Sequence, residues 1–186
     1  MQIRPVRPED LGGLVEIDGT IESSEYLHVE RTGEGLALQW RLEERPLRQK
    51  RIERNRPTDE LEFVLKQIAT GADEGIALLA EHEGAMVALC VAQPRPEFGT
   101  MMLLDLRVDF DNRREGLATA MLYQVIAESR AHELRAVTAE SRTDNLPAAR
   151  MLAKLAFDLA GLDTQRHSNH DLVKESATLL WYAALD

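Results

Sequence analysis

Within "DFDNRREGLATAML" (Asp109–Leu122), Arg113 and Arg114 stand just before Gly116, and the small residues Ala118, Thr119 and Ala120 follow. An apolar run, Thr100–Val108, precedes the stretch, and it opens a long helical pattern over Glu115–His132. A helix start suits an anion, because its first amides lack intrahelical partners and the macrodipole places partial positive charge there. Glycine lets a ligand approach the backbone with no Cβ in the way. The small residues keep the next turn slim, and the two arginines add mobile positive charge. Strand, glycine-bearing turn and helix start together point to a phosphate cradle, most simply for a pyrophosphate. A glycine merely tolerated in a surface helix is the competing reading. The Gly-Lys-Ser/Thr loop and the G-x-G-x-x-G fingerprint of other phosphate binders are both missing.

The remaining residues of chemical interest carry weaker patterns. His28, His82, His132, His167 and His170 show no metal-ligand spacing, and "HSNH" alone lacks further ligands, so no metal is expected. Cys90 sits in an apolar run and reads as core; as a single cysteine it leaves no internal disulfide. Ser23 and Ser24 lack a motif for an activated nucleophile. Trp40 and Trp181 could line a pocket or fill the core, and Trp181 reads as core.

The elements that must position these groups come from one chain of 186 residues, a length for one domain, or one with an elaboration. Apolar residues make up 44% of it, yet no run approaches the ~18–20 residues of a membrane span. The opening "MQIRPVRPED" lacks the apolar segment of a secretory signal. These features lead us to expect a soluble cytoplasmic protein with no membrane partner. The net charge of −10 repels nucleic acid and favours cationic ligands. The basic run "RPLRQKRIERNR" (Arg45–Arg56) is interrupted or flanked by Glu43, Glu44 and Glu53 and has no aromatic interleaving. It reads as a solvated face, and nucleic-acid binding is the least favoured function.

A short strand at Gln2–Val6 leads into a helix opened by Pro8, Glu9 and Asp10, with Leu11, Leu14 and Val15 as its apolar stripe. "IESSEYLHVERTGEG" reads as a loop or broken helix, and alternation at Leu36, Leu38, Trp40 and Leu42 predicts a strand over Gly35–Arg45. A helix follows, with Asp59 and Glu62 as a capping box and Gly71 at its end. "GIALLAEHEGAMVALCVAQ" splits into two apolar runs around "EHEG", the pattern of a hairpin. Then come strands at Thr100–Val108 and Arg135–Ser141, a helix from Asn145 to Ala156, a strand near Phe157–Gly161 and a final strand in "SATLLWYAAL". The order predicts a single α/β domain over residues 1–186 around a mixed sheet.

Arg113-x-x-Gly116-x-Ala118, after an apolar strand and before a long helix, resembles the acetyl-CoA motif of GNAT N-acetyltransferases, Arg/Gln-x-x-Gly-x-Gly/Ala. "IRPVRPEDL" looks like the usual opening of that family, and "DNLPAARMLAKLAF" like its "N-x-x-A…Y-x-x-x-G-F" segment. The resemblance implies a mixed, mostly antiparallel sheet flanked by helices, with strands splayed at the acetyl-CoA site. It implies that backbone amides of Arg114, Glu115, Gly116, Leu117, Ala118 and Thr119 hold the pyrophosphate, with Arg113 opening the motif. Leu106 and Val108 would pair their backbone with the pantetheine arm. Asn145 would hydrogen-bond that arm, and it also suits a helix N-cap. The segment 21–56 would be the variable, substrate-side part. A narrower resemblance lies in "GLDTQRHSNHDLVKESATLLWY", which is similar to the tail of streptothricin acetyltransferases; Asp105 and Glu140 match acidic positions there.

Acetyl transfer from a thioester to an amine needs a neutral amine, donors for the carbonyl oxygen and a departing thiolate. Asp105 and Glu140 are the first candidates to take the proton, with Glu22 and Glu25 next; Glu22, Glu25 and Tyr26 would face the substrate. Each of these acids could equally be a solvated or salt-bridged carboxylate. The family's usual acid, a tyrosine seven residues after the asparagine, falls on Leu152, which donates no proton. Tyr182, Tyr26 or Tyr123 could replace it, and a thiol of pKa ~8.5 leaves without much help. The expected function is acetyl transfer from acetyl-CoA to a small cationic amine. The alternatives are a catalytically weak or inactive acyl-CoA-binding module and a protein or peptide N-acetyltransferase. The β-rich Gly35–Arg45 segment could offer an edge for a homodimer.

Overall fold

The runs "IALLA" and "VALCVA" are continuous rather than alternating, which fits strands covered on both faces. The computed structural model, which describes residues 1–185, shows them in β4 (Ile76–His82) and β5 (Ala85–Arg95), an antiparallel hairpin turning at Glu83-Gly84. By its internal contacts the chain falls into two compact units. The first comprises Met1–Thr20, Arg54–Ala139 and the chain from Ala183; the second comprises Ile21–Glu53 and Glu140–Tyr182.

In the first unit the strands run in the order β1 (Gln2–Pro5), β4, β5, β6 (Thr100–Val108) and β7 (Ala136–Arg142), whose last residues pass into the second unit. All neighbours are antiparallel except β6 and β7, which are parallel. On one face Leu79, Leu89 and Val91 form a core with Leu14 and Ile17, from the segment around a 3-10 helix (Pro8–Glu16), and Leu65 of α1 (Asp59–Ala69). Leu78 and Cys90 alternate to the other side, and α2 (Leu117–Ala131) packs against β4, β5 and β6 with Met121, Leu122 and Val125 buried. Each such buried side chain contributes about 1.5–3 kcal/mol. The fold is the expected one, a mixed, mostly antiparallel sheet flanked by helices.

Strand β6 has a bulge. Asp105 pairs with Val91 and Leu103 with Ala92, so Leu104 is the extra residue. A bulge bends its strand and increases local twist. Pairing between β6 and β7 covers only Thr100 with Ala136, Met101 with Val137 and Met102 with Thr138. From Leu103 to Val108, therefore, β6 keeps β5 on one side and has no β7 partner on the other.

The second unit is built on an antiparallel ribbon, β2 (Ile21–Glu34) and β3 (Ala37–Glu53), turning at Gly35-Leu36. Helix α3 (Leu146–Lys154) buries Leu146, Ala149 and Leu152, and β8 (Asp158–Asp163) pairs antiparallel with β9 (Thr178–Ala184). The strand order here is β7, β9, β8. Trp181 is buried, as expected, and its indole donates to Ser141 Oγ at 2.9 Å.

Several expectations need correction. Ile21–Glu34 is a strand, not a loop or broken helix, and the following strand continues past Arg45 to Glu53. In β2 the buried residues Ser23, Tyr26 and Val29 fall three apart, so it shows no two-residue alternation, and its register shifts between Ser23 and Glu25. Pro8–Glu16 is a 3-10 helix with Gly12-Gly13 inside it, and Val15 is exposed. Helix α1 is capped by Thr58, whose hydroxyl accepts from the Leu61 amide at 3.2 Å; Asp59, read as the cap, is its first residue.

Candidate active site

The cradle begins where β6 ends. The Asp109 amide donates to the Val87 carbonyl at 2.8 Å, and its carboxylate accepts from the Asp111 amide and Asn112 Nδ2, both at 3.2 Å. This local bonding closes the short 3-10 turn Phe110–Asn112. Arg113 is held rather than mobile, which corrects the sequence reading. Its Nε donates to the Val108 carbonyl at 3.0 Å, its Nη2 to the Asp18 carbonyl at 3.4 Å, and its guanidinium lies 5.0 Å over the Phe110 ring. Arg114 remains exposed.

Gly116 has φ of 84°, a left-handed conformation that costs other residues about 1–2 kcal/mol. A Cβ built there meets nothing within 4 Å, so the space above it is open. The glycine thus serves the turn and leaves the space above the backbone clear. Helix α2 starts at Leu117, two residues later than Glu115, and its first intrahelical bond runs from the Ala120 amide to the Gly116 carbonyl at 2.9 Å. The amides of Leu117, Ala118 and Thr119 precede that bond. Gly116 supplies no side-chain cap, and the first turn contains no acid. Three donors at the positive end of a helix dipole therefore lack a partner within their own helix.

Leu106 and Val108 pair with Cys90 and Ala88 of β5, and both lie in the stretch of β6 that lacks β7. Asp105 lies between them and the bulge, but both its oxygens are engaged. Arg107 Nε and Nη2 donate to it at 2.6 and 2.8 Å, and Arg107 Nη1 donates to the Asn55 carbonyl at 2.7 Å. The side chains of Arg107 and Asp105 are 2% and 10% exposed, so this is a buried bidentate pair. The Cys90 thiol is fully buried, and burial pushes its pKa well above the ordinary value, out of reach of nucleophilic work. Tyr123 of α2 is exposed.

The other candidates lie in the second unit. Glu140, exposed near the end of β7, accepts from Arg166 Nη2 through one oxygen at 2.8 Å. Asn145 caps α3, its side chain accepting from the Ala148 amide at 3.4 Å. Leu152, at the place of the family's tyrosine, is 3% exposed in the core. Tyr182 stands half-buried on β9 opposite Asp158. Glu22 pairs with Lys50, and Glu25 shares Arg150 of α3 with Glu44. Tyr26 is buried and its hydroxyl bonds His28 Nδ1 at 2.9 Å. Burial, and next the Glu175 carboxylate, raise the phenol's pKa, so Tyr26 stays protonated. Arginines of the basic run are engaged by acids: Arg45 with Glu43, Arg48 with Glu175, and Arg51 with Glu53 and Asp144.

Sequence reasoning missed Arg107, the Asp18 contact of Asp109 and the His28 partner of Tyr26. Only Asp109 carried a local signal, the Asp-x-x-Asn spacing of a side-chain-bonded turn. Among the described residues, no group of three or more His, Cys, Asp or Glu could hold a metal ion, and no helix is long and apolar enough to cross a membrane.

A family model of the Acetyltransferase (GNAT) family matches residues 37–157. Streptothricin acetyltransferase A of Bacillus subtilis (strain 168) is 29% identical over 84 residues, 45% of this chain. That match spans about half of the curated relative, 48% of its length. Among solved structures, nourseothricin acetyltransferase superposes with a TM-score of 0.79 at 19% identity, covering 100% of this chain and 98% of that one. A protein assigned as a streptothricin acetyltransferase from Bacillus anthracis str. Ames, solved with acetyl coenzyme A, gives 0.78 at 16% identity, covering 100% and 97%.

Proposed function

Because the chain belongs to the GNAT acetyltransferase family, an enzyme family that draws its acetyl group from acetyl-CoA, we propose that it acetylates the primary amine of a small cationic molecule. The observation that carries the proposal is the start of α2: uncapped amides at Leu117–Thr119 behind a left-handed, unobstructed Gly116. There the amides of Arg114 to Thr119 bind the pyrophosphate, and Leu106 and Val108 offer the free edge of β6 to the pantetheine arm. Asn145 supplies a further hydrogen bond to that arm. The net charge of −10 and the antibiotic names carried by the similar proteins support a cationic acceptor.

In this reading the acceptor ammonium loses a proton, the free amine attacks the thioester carbonyl, and the adduct's nitrogen sheds a second proton as the carbon–sulfur bond breaks and coenzyme A leaves as its thiolate. Glu140 is proposed as the proton acceptor, because Arg166 engages one of its oxygens whereas Arg107 engages both of Asp105's. Tyr182 is proposed to return a proton to the thiolate, in place of the tyrosine that Leu152 replaces. Glu22, Glu25 and Tyr26 are proposed to meet the substrate. We further place the enzyme in the cytoplasm, and the long ribbon leaves a homodimer open to it. The buried Leu152 favours a second reading, an acyl-CoA-binding module with little turnover.

Calorimetric titration with acetyl-CoA, followed by thiol release across a panel of small amines, tests both. Binding with turnover supports the enzyme; binding without turnover on any amine supports the module. No binding of acetyl-CoA or coenzyme A removes both readings.

A further inference from the structure

Segment Ile21–Glu53 leaves the first unit after Thr20 and re-enters it at Arg54. Both ends are gripped by the strand and loop that lead to the cradle. At the outgoing end the Asp18 amide donates to Asp109 Oδ2 at 3.0 Å, and the Asp18 carbonyl accepts from Arg113. At the returning end Arg107 Nη1 donates to the Asn55 carbonyl at 2.7 Å. The two ends touch at Gly19: a Cβ there would lie 2.8 Å from the Asn55 carbonyl oxygen and 3.5 Å from Arg107 Nη1. Only a residue without a side chain lets the crossing close.

Arg107 is 4% exposed, and a buried guanidinium must be paired. Asp105 neutralises it through two parallel bonds, a geometry that fixes the planar group and leaves Nη1 aimed at Asn55. On the other side of Val108, Asp109 divides its carboxylate. One oxygen closes the loop on Asp111 and Asn112, and the other reaches across to Asp18. The backbone from Asp109 to Gly116 is continuous, so whatever orders the cradle orders the atoms that hold Asp18.

We propose that Asp109 and Arg107 are positioning residues, which tie Asp18 and Asn55, the residues flanking the substrate-side segment, to the acetyl-CoA loop so that co-substrate binding orders both flanks. The inference rests on the acetyl-CoA reading of the α2 start. It gives Asp105 a task other than proton transfer: the counter-charge that keeps Arg107 on Asn55.

The test is hydrogen–deuterium exchange at Ile17–Thr20 and Arg54–Thr58, with and without saturating acetyl-CoA, in the wild type, Asp109→Asn and Arg107→Lys. Asparagine can keep the Oδ1 contacts of Asp109 while presenting an NH2 where the Asp18 amide needs an acceptor. Acetyl-CoA should slow exchange at both ends about tenfold in the wild type. Asp109→Asn should lose the slowing at Ile17–Thr20 and Arg107→Lys at Arg54–Thr58, each still binding acetyl-CoA within about threefold of wild type. If the variants exchange faster in both states but keep the slowing, the residues are only structural and the inference is overturned. Wild-type binding without slowing overturns it as well and leaves the acetyl-CoA site intact; absence of binding removes that site and the inference together. Should Arg107→Lys fail to fold, Asp109→Asn decides the outcome alone.

Discussion

Helices α1 and α2 belong to the same unit and begin in opposite ways. Thr58 closes the start of α1 by accepting from the Leu61 amide, and Asp59, Glu60 and Glu62 place negative charge against its dipole. The start of α2 has a glycine in place of a cap and no acid in its first turn. A start completed by its own side chains needs nothing from outside. One left open, behind a left-handed glycine with nothing within 4 Å of a Cβ, has the donors and the room that the proposed pyrophosphate needs. The 3-10 helix Pro8–Glu16 belongs with α1: Asp10 accepts from the Arg7 amide at 2.7 Å and is itself held by Arg4.

The largest test of this contrast is Gly116→Glu. It adds left-handed strain and puts a carboxylate beside the open amides, so acetyl-CoA affinity should fall by at least ~100-fold, about 2.7 kcal/mol. Calorimetry reads it, and a fold intact by circular dichroism shows that the loss is local. Retained affinity would mean that α2 opens on nothing.

Acid should separate the starts next. The Arg4 guanidinium, hydrogen-bonded to Asp10, holds that carboxyl below its usual range. A lowered folded-state pKa gives stability that is present above the unfolded value of ~3.9 and is lost as pH falls through the folded one. Thermal melts of the wild type should therefore drop below pH ~4, while Asp10→Asn, about 2 kcal/mol less stable at pH 7, should drop less. Equal pH dependence in both proteins would assign the acid sensitivity elsewhere.

Thr58→Ala should cost about 1 kcal/mol of stability and leave acetyl-CoA affinity unchanged. A change in affinity would show that the capped start also serves the ligand.

How much of this was legible in the sequence follows the range of the contacts. Thr100–Val108 and the hairpin around Glu83-Gly84 were readable from short apolar runs, and the cradle from residues within one turn of each other. The ribbon Ile21–Glu53 was half missed, because β2 buries Ser23, Tyr26 and Val29, three residues apart across a register shift, and so shows no two-residue period. The clasp on Asp18 and Asn55 was invisible, since its partners lie 91 and 52 residues away along the chain. Asp105 shows the same limit within the site: its type and strand were legible, but the arginine that occupies both its oxygens is a property of burial.

The smallest expected effect is the sharpest test of the contrast, because it turns one start into the other. Asparagine tolerates the left-handed region better than other side chains and caps helices about as well as aspartate. In Gly116→Asn its side-chain oxygen would bond an amide of the first turn, as Thr58 does for α1. Stability should stay within about 0.5 kcal/mol of wild type, since the cap offsets the strain. Acetyl-CoA affinity should nevertheless fall several-fold, because the ligand must displace a cap already made. A melt paired with a titration reads both quantities from one variant. An unchanged affinity would show that the open amides and the ligand are unrelated, even if Gly116→Glu abolishes binding by charge alone.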